Sequence, residues 1–119
     1  LKVAVTATGQ TLDSPLDPRF GRAAYFILYD QESQTFEVTD NSPNLNAVQG
    51  AGIQAAEKIV KLGADALISG HCGPKAFRVL AVAGIAVYNT EAGSVAEALA
   101  ELKAGKLTQA ASADVAGHW

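Results

Sequence analysis

Three rhythms of apolar and polar residues follow one another along this chain. Lys2-Val-Ala-Val-Thr-Ala7 is a short, nearly continuous apolar run, the pattern of a central strand buried on both faces. Thr8 to Arg22 is polar and rich in Gly and Pro, which predicts a long loop, and such loops in compact domains are often functional. With no periodic apolar anchors, this loop is expected to be among the most mobile parts of the chain when no ligand is bound. Ala24-Tyr-Phe-Ile-Leu-Tyr29 reads as a second strand, and Thr35-Phe-Glu-Val-Thr39 alternates like a one-sided edge strand. The polar stretch Asp30 to Gln34 between them predicts an antiparallel hairpin. Beyond the breaker segment Asp40-Asn-Ser-Pro-Asn44 the period lengthens to that of a helix, from about Ala47 to Leu62. Its predicted stripe is Ile53, Ala56, Ile59 and Val60, with Gly63 as the stop.

Asp65-Ala-Leu-Ile-Ser69 is a further buried strand, and Gly70-His-Cys-Gly-Pro74 is a turn. Pro74 suits the first position of a helix that runs to about Ala83 and buries Phe77, Leu80 and Ala81. Ile85-Ala-Val-Tyr88 is a last strand. Ser94-Val-Ala-Glu97 is a capping box that opens a helix with Leu99 and Leu102 inward and Gly105 after it. The tail from Lys106 to Trp119 has no period and is expected to be irregular. The order β-β-β-α-β-α-β-α predicts an α/β fold: one domain over 1–119, with a mixed five-stranded sheet flanked by helices. Right-handed crossovers make strands one, four and five parallel, and the hairpin on the other side of strand one gives the order 3-2-1-4-5. The C-terminal ends of strands one and four then form a topological switch point, the usual ligand crevice of such sheets.

Composition narrows the functions. No window approaches the roughly 18 consecutive apolar residues of a membrane span. No apolar segment follows a basic start, so a signal peptide is not expected. The single cysteine rules out an internal disulfide and any four-thiolate zinc or iron–sulfur site within one chain. A cytoplasmic location is expected. The net charge of −3 argues against non-specific binding of nucleic acid. An anionic ligand would need a local basic patch.

Two segments supply one. Asp17-Pro-Arg-Phe-Gly-Arg22 offers two fork-shaped donors, Arg19 and Arg22, around Phe20 and Gly21, beside Thr8 at the loop's start. A surface loop in which an arginine pairs with Asp13 or Asp17 has the same composition. Ser69-Gly-His-Cys-Gly-Pro-Lys-Ala-Phe-Arg78 lies between a strand and its helix. Gly70 and Gly73 let the backbone approach a ligand, and the N–H groups behind Pro74 favour an anion. Lys75 and Arg78 sit where the helix dipole disfavours cations by about 0.3–1 kcal/mol each, a cost that a bound anion would reverse. Four of the nine basic residues lie in these two segments.

His71 and Cys72 leave three readings open. Near a helix N-terminus and a cation, Cys72 could be an activated thiolate, or with His71 a soft metal ligand. It could equally be a small packed side chain. Adjacent turn residues point apart, so His71 is a poor base for Cys72. His118 has no partner that the pattern places. The turn is not a Walker A loop, because Lys75 is not followed by Ser or Thr. Gly50-Ala-Gly52 is too short for a dinucleotide fingerprint. The first strand carries no carboxylate for a two-metal nuclease.

Asp17-Pro-Arg-Phe-Gly-Arg-Ala-Ala-Tyr-Phe26, Gly50-Ala-Gly-Ile53 and Gly70-His-Cys-Gly-Pro-Lys-Ala-Phe77, in this order and spacing, resemble the dinitrogenase iron–molybdenum cofactor biosynthesis family. The likeness covers nearly the whole chain, including the final Gly-His-Trp, and is greatest to the orange-protein branch from sulfate-reducing bacteria. It implies a ribonuclease-H-like fold without nuclease activity. It also implies non-catalytic carriage or storage of an anionic molybdenum–copper sulfide cluster, or of an iron–molybdenum cofactor precursor. Nucleotide-binding ATPases linked to cell division are the partners it suggests. Metals saturated by inorganic sulfide need cations, N–H donors and apolar cover rather than a protein thiolate. The rival readings are a thiol-dependent enzyme that uses Cys72 on an anionic substrate and a metal-free protein-interaction module.

Overall fold

A computed structural model describes residues 1–41 and 50–111. Its five strands are β1 (Lys2–Ala7), β2 (Tyr25–Asp30), β3 (Thr35–Asp40), β4 (Ala66–Ser69) and β5 (Ala86–Asn89). They form one sheet in the order β3-β2-β1-β4-β5, as the pattern predicts. β2 is antiparallel to β1 and β3, while β1–β4 and β4–β5 are parallel. Each strand after the first is shifted from its predicted bounds by a residue or less at either end. The hairpin between β2 and β3 is closed by Asp30, whose Oδ1 accepts from the amides of Glu32 and Ser33. The Glu32 amide in particular holds this carboxyl below its ordinary pKa.

Three helices cover the sheet: α1 (Ala51–Lys61), α2 (Pro74–Val82) and α3 (Val95–Lys103). On one face α1 and α2 bury Ala55, Ala56, Ile59, Ala76 and Leu80 against Ala4, Phe26, Leu28, Leu67 and Val87. On the other face α3 lays Val95 and Ala98 on Val3, Val5, Ile27 and Ile68, with Leu99 and Leu102 packed around them. Two inward residues differ from the predicted stripes. Val60 and Ala81 are exposed, and Ala55 and Ala76 are buried in their place. Alanine weighs little in a hydrophobic pattern but lets a helix approach a sheet closely, so the true faces are turned toward the small residues. The helix predicted from about Ala47 begins at Ala51, behind Gly50 in the left-handed region at φ 81°. Residues 47–49, and the tail with His118 and the final Gly-His-Trp, lie outside the described residues. Among the described residues no helix is long and apolar enough to cross a membrane.

Candidate functional site

β1 and β4 run side by side, and beyond the end of β1 the loop that follows it takes its place beside the turn after β4. The loop after β1 first doubles back, with Leu16 bridged to Ala7 and the Asp17 amide donating to the Thr6 carbonyl at 3.0 Å. It then runs along the turn that follows β4. The His71 amide donates to the Pro18 carbonyl at 2.7 Å and the Phe20 amide to the His71 carbonyl at 3.2 Å, which makes Arg19 and His71 a parallel bridge pair. The two basic segments are therefore joined backbone to backbone. Gly70 owes its identity to this junction: a Cβ there would lie 2.6 Å from the Pro18 Cα. The space a side chain would take is filled by the protein's own loop, where the sequence suggested an approaching ligand.

The expected mobility of the 8–22 loop loses its premise. Leu16, Phe20 and Ala23 are buried anchors, spaced too irregularly to be seen as a period. Phe20 packs on Phe26 with ring centroids 5.7 Å apart. Polar side chains beneath the loop add to this. The Thr6 Oγ1 donates to the Asp17 carbonyl at 2.6 Å and lies 3.2 Å from the Ser69 Oγ, all fully buried. Thr8 Oγ1 donates within the loop, to the Pro15 carbonyl at 3.4 Å.

Strand-like alternation across the junction decides how the neighbours point. Phe20 and Cys72 turn into the core beneath α2, where Cys72 is 1 % exposed and its Sγ lies 3.7 Å from the Gly73 carbonyl oxygen. Arg19 and His71 are on the other side, exposed and half-buried respectively. Of the readings left open for Cys72, the packed side chain is the one this burial favours, since a nucleophile or ligand needs access. Among the described residues no group of three His, Cys, Asp or Glu side chains could hold a metal ion.

The cations separate into two kinds. Arg19 pairs with the buried Asp17 carboxylate at 3.6 Å, and the Arg19 amide also donates to that carboxylate at 3.0 Å. The pairing that a plain surface loop would show is thus present for this residue. Half-buried Arg22 and exposed Lys75 and Arg78 have no ion pair or side-chain hydrogen bond among the described residues. Arg22 stands on a turn of buried backbone at Gly21 and Ala23.

Helix starts complete the site. α1 and α2 open on this face of the sheet behind Gly50 and Gly73, with no side-chain cap and no acid in the first turn. Pro74 fills the first turn of α2, as predicted, and Gly73 is buried at its N-cap. Ser69 opens the second basic segment in the sequence, but nothing there pairs it with Thr6 beneath the site. Their signal was one polar residue near the end of each apolar strand. Asn41, whose Nδ2 donates to the carbonyls on either side of Arg22, carried no such signal.

The family model described as dinitrogenase iron-molybdenum cofactor matches residues 1–105. The chain is similar to the apo form of the orange protein from Desulfovibrio gigas, at 41% identity over 96% of each chain with a TM-score of 0.93. It is also similar to a NifB-like protein from Thermotoga, at 37% identity over 91% of each chain with a TM-score of 0.80. An uncharacterized protein of Methanocaldococcus jannaschii is 32% identical over 111 residues, which cover 90% of this chain and 93% of the relative.

Proposed function

The chain belongs to the dinitrogenase iron–molybdenum cofactor family, and from that premise we propose that it carries or stores an anionic metal–sulfide cluster rather than acting on one as an enzyme. The observation that carries this reading is the junction of the two loops. It joins the segment leading to Arg22 to the turn that opens the cation-bearing, acid-free start of α2, which supports a shared basic rim. Similarity to the orange protein favours a molybdenum–copper sulfide cluster as the cargo, with an iron–molybdenum precursor as the other member of the same chemical class. The site residues of this reading are Thr8, Arg19, Phe20, Gly21, Arg22, Gly70, His71, Cys72, Gly73, Pro74, Lys75 and Arg78. Their roles differ. Arg22, Lys75 and Arg78 supply charge, the glycines and Pro74 shape the backbone, and Phe20 and Cys72 pack beneath.

Charge is the natural basis for holding such a cargo. A sulfide-saturated polyanion gains little from a further thiolate, and each charge-assisted hydrogen bond to an anion contributes about 1.5–3 kcal/mol when partly desolvated. The burial of Cys72 supports the non-catalytic side of the reading, because the thiol-dependent alternative needs that sulfur at the surface. The ribonuclease-H-like fold without nuclease activity belongs to the same proposal; the strand order supports the fold, and a first strand without carboxylates supports the absence of nuclease chemistry. Docking of a nucleotide-binding ATPase rests on the family likeness alone.

The test is reconstitution of the purified chain with tetrathiomolybdate and copper, followed by metal analysis and the visible spectrum. Stoichiometric uptake with sulfide-to-metal charge-transfer bands is expected. A colourless protein with rapid alkylation of native Cys72 would favour the thiol enzyme instead.

A further inference from the structure

We infer that Asn41 is a positioning residue of this site, and that its buried carboxamide holds the turn that carries Arg22. The inference rests on the cluster-binding reading above and adds a residue to it. Asn41 directly follows β3 and is fully buried. Its backbone amide donates to the Ala24 carbonyl at 2.9 Å. Its Nδ2 donates to the Ala23 carbonyl at 2.8 Å and to the Gly21 carbonyl at 3.3 Å. One residue thus takes the carbonyls on both sides of Arg22, while the Arg22 side chain itself has no partner among the described residues.

The other end of the carboxamide makes this arrangement informative. Asn41 Oδ1 is buried and has no hydrogen-bond partner among the described residues. The amide cannot be turned to relieve it, because Oδ1 would then face two carbonyl oxygens. A buried acceptor without a donor is costly, and natural proteins carry few of them. An apolar residue would fill the same space and spare the buried Oδ1, but it would leave the Gly21 and Ala23 carbonyls without this donor. What a carboxamide supplies and an apolar residue does not is a two-pronged donor that fixes the backbone on either side of the cation. Rules of satisfaction are broken most often where a site must be held in one geometry.

The experiment uses the full chain as wild type, Asn41→Ala, Asn41→Ser, Asn41→Asp, Arg22→Ala and the double variant Asn41→Ala/Arg22→Ala. Each is titrated with tetrathiomolybdate and copper, and amide hydrogen exchange is followed without metal. If Asn41 acts through Arg22, Asn41→Ala weakens cluster affinity by about tenfold in the wild-type background and by less than about twofold when Arg22 is already alanine. The Ala23 amide exchanges faster in Asn41→Ala, while the amides of β1 keep their rates. Asn41→Ser, which keeps one donor, falls between wild type and Asn41→Ala on both readouts. Asn41→Asp binds most weakly, because a carboxylate would face two carbonyl oxygens and repel the anion. Additive losses in the double variant, or an Ala23 amide that Asn41→Ala leaves unchanged, would overturn the inference. If the wild-type chain takes up no chromophore, the functional reading falls and the cluster part of this inference falls with it. The exchange comparison still decides whether Asn41 holds the turn.

Discussion

α2 and α3 begin at the same end of the sheet, each soon after a parallel strand, and their first turns are built in opposite ways. At α3 every early amide has a partner. Val95 and Ala96 donate to the Ser14 and Leu12 carbonyls, and Glu97 donates to the Ser94 Oγ at 3.1 Å. The Glu97 carboxylate reaches back to the Gly93 amide at 3.1 Å, which places a negative charge where the helix dipole favours one. At α2 the N-cap is Gly73, the first residue is Pro74, no acid follows, and Lys75 and Arg78 bring positive charge instead. One start is finished by the protein itself. The other has neither a side-chain cap nor an acid in its first turn, and it is the one joined to the arginine loop.

The strongest way to break this contrast is to remove the unpaired cations. Replacing Arg22, Lys75 and Arg78 together with alanine should lower cluster affinity by orders of magnitude, at about 1.5–3 kcal/mol for each charge-assisted contact. Titration at two salt concentrations checks it, since the salt dependence should flatten as well. The junction comes next. Gly70→Ala drives a methyl group into the Pro18 backbone, so it should cost about 1–3 kcal/mol in thermal or urea unfolding and loosen the site with it. At the finished end, Ser94→Ala should cost about 1 kcal/mol of stability and leave affinity unchanged. A matching loss of affinity would mean that the two helix starts are not independent. Cys72→Ser should cost affinity about 1 kcal/mol or less, measured in the same titration, because Cys72 packs into the core and no thiolate is needed. The smallest effect belongs to Asp17. Asp17→Asn keeps an oxygen for the Arg19 amide but removes the charge that Arg19 now faces, so anion affinity should rise by a few tenths of a kcal/mol, up to about 1.

The strand order and the meeting of the two loops were legible in the sequence because each rests on a strong signal. Unbroken apolar runs marked the central strands, and right-handed crossovers then left one arrangement of the parallel ones. The helix faces were less legible, as Val60 and Ala81 demonstrate, because Ala55 and Ala76 carry packing information that hydropathy does not weigh. Within the site, residue types pointed to an anion, but their division of labour depends on three dimensions. The Arg19–Asp17 pair, the inward turn of Cys72 and the crowding at Gly70 all follow from Arg19 lying opposite His71. Asn41 was hidden for a related reason. A lone Asn in a breaker segment looks like any turn residue until the carbonyls it reaches are known.

The Thr6–Ser69 contact joins residues 63 positions apart, and the loop junction above it spans a comparable separation. Contacts of that range form after local ones, because the intervening chain must first give up its freedom. The hairpin of β2 and β3 can form before the two basic segments have met. Under the proposed function, a nascent or partly folded chain has no means of collecting a cluster, and loading follows completion of the central seam. The same linkage works in reverse: a cluster held only by the closed seam would stabilise it by mass action, in proportion to the logarithm of its concentration over its dissociation constant. Protease resistance of the seam would then report how much of the protein is loaded, without any need to see the metals.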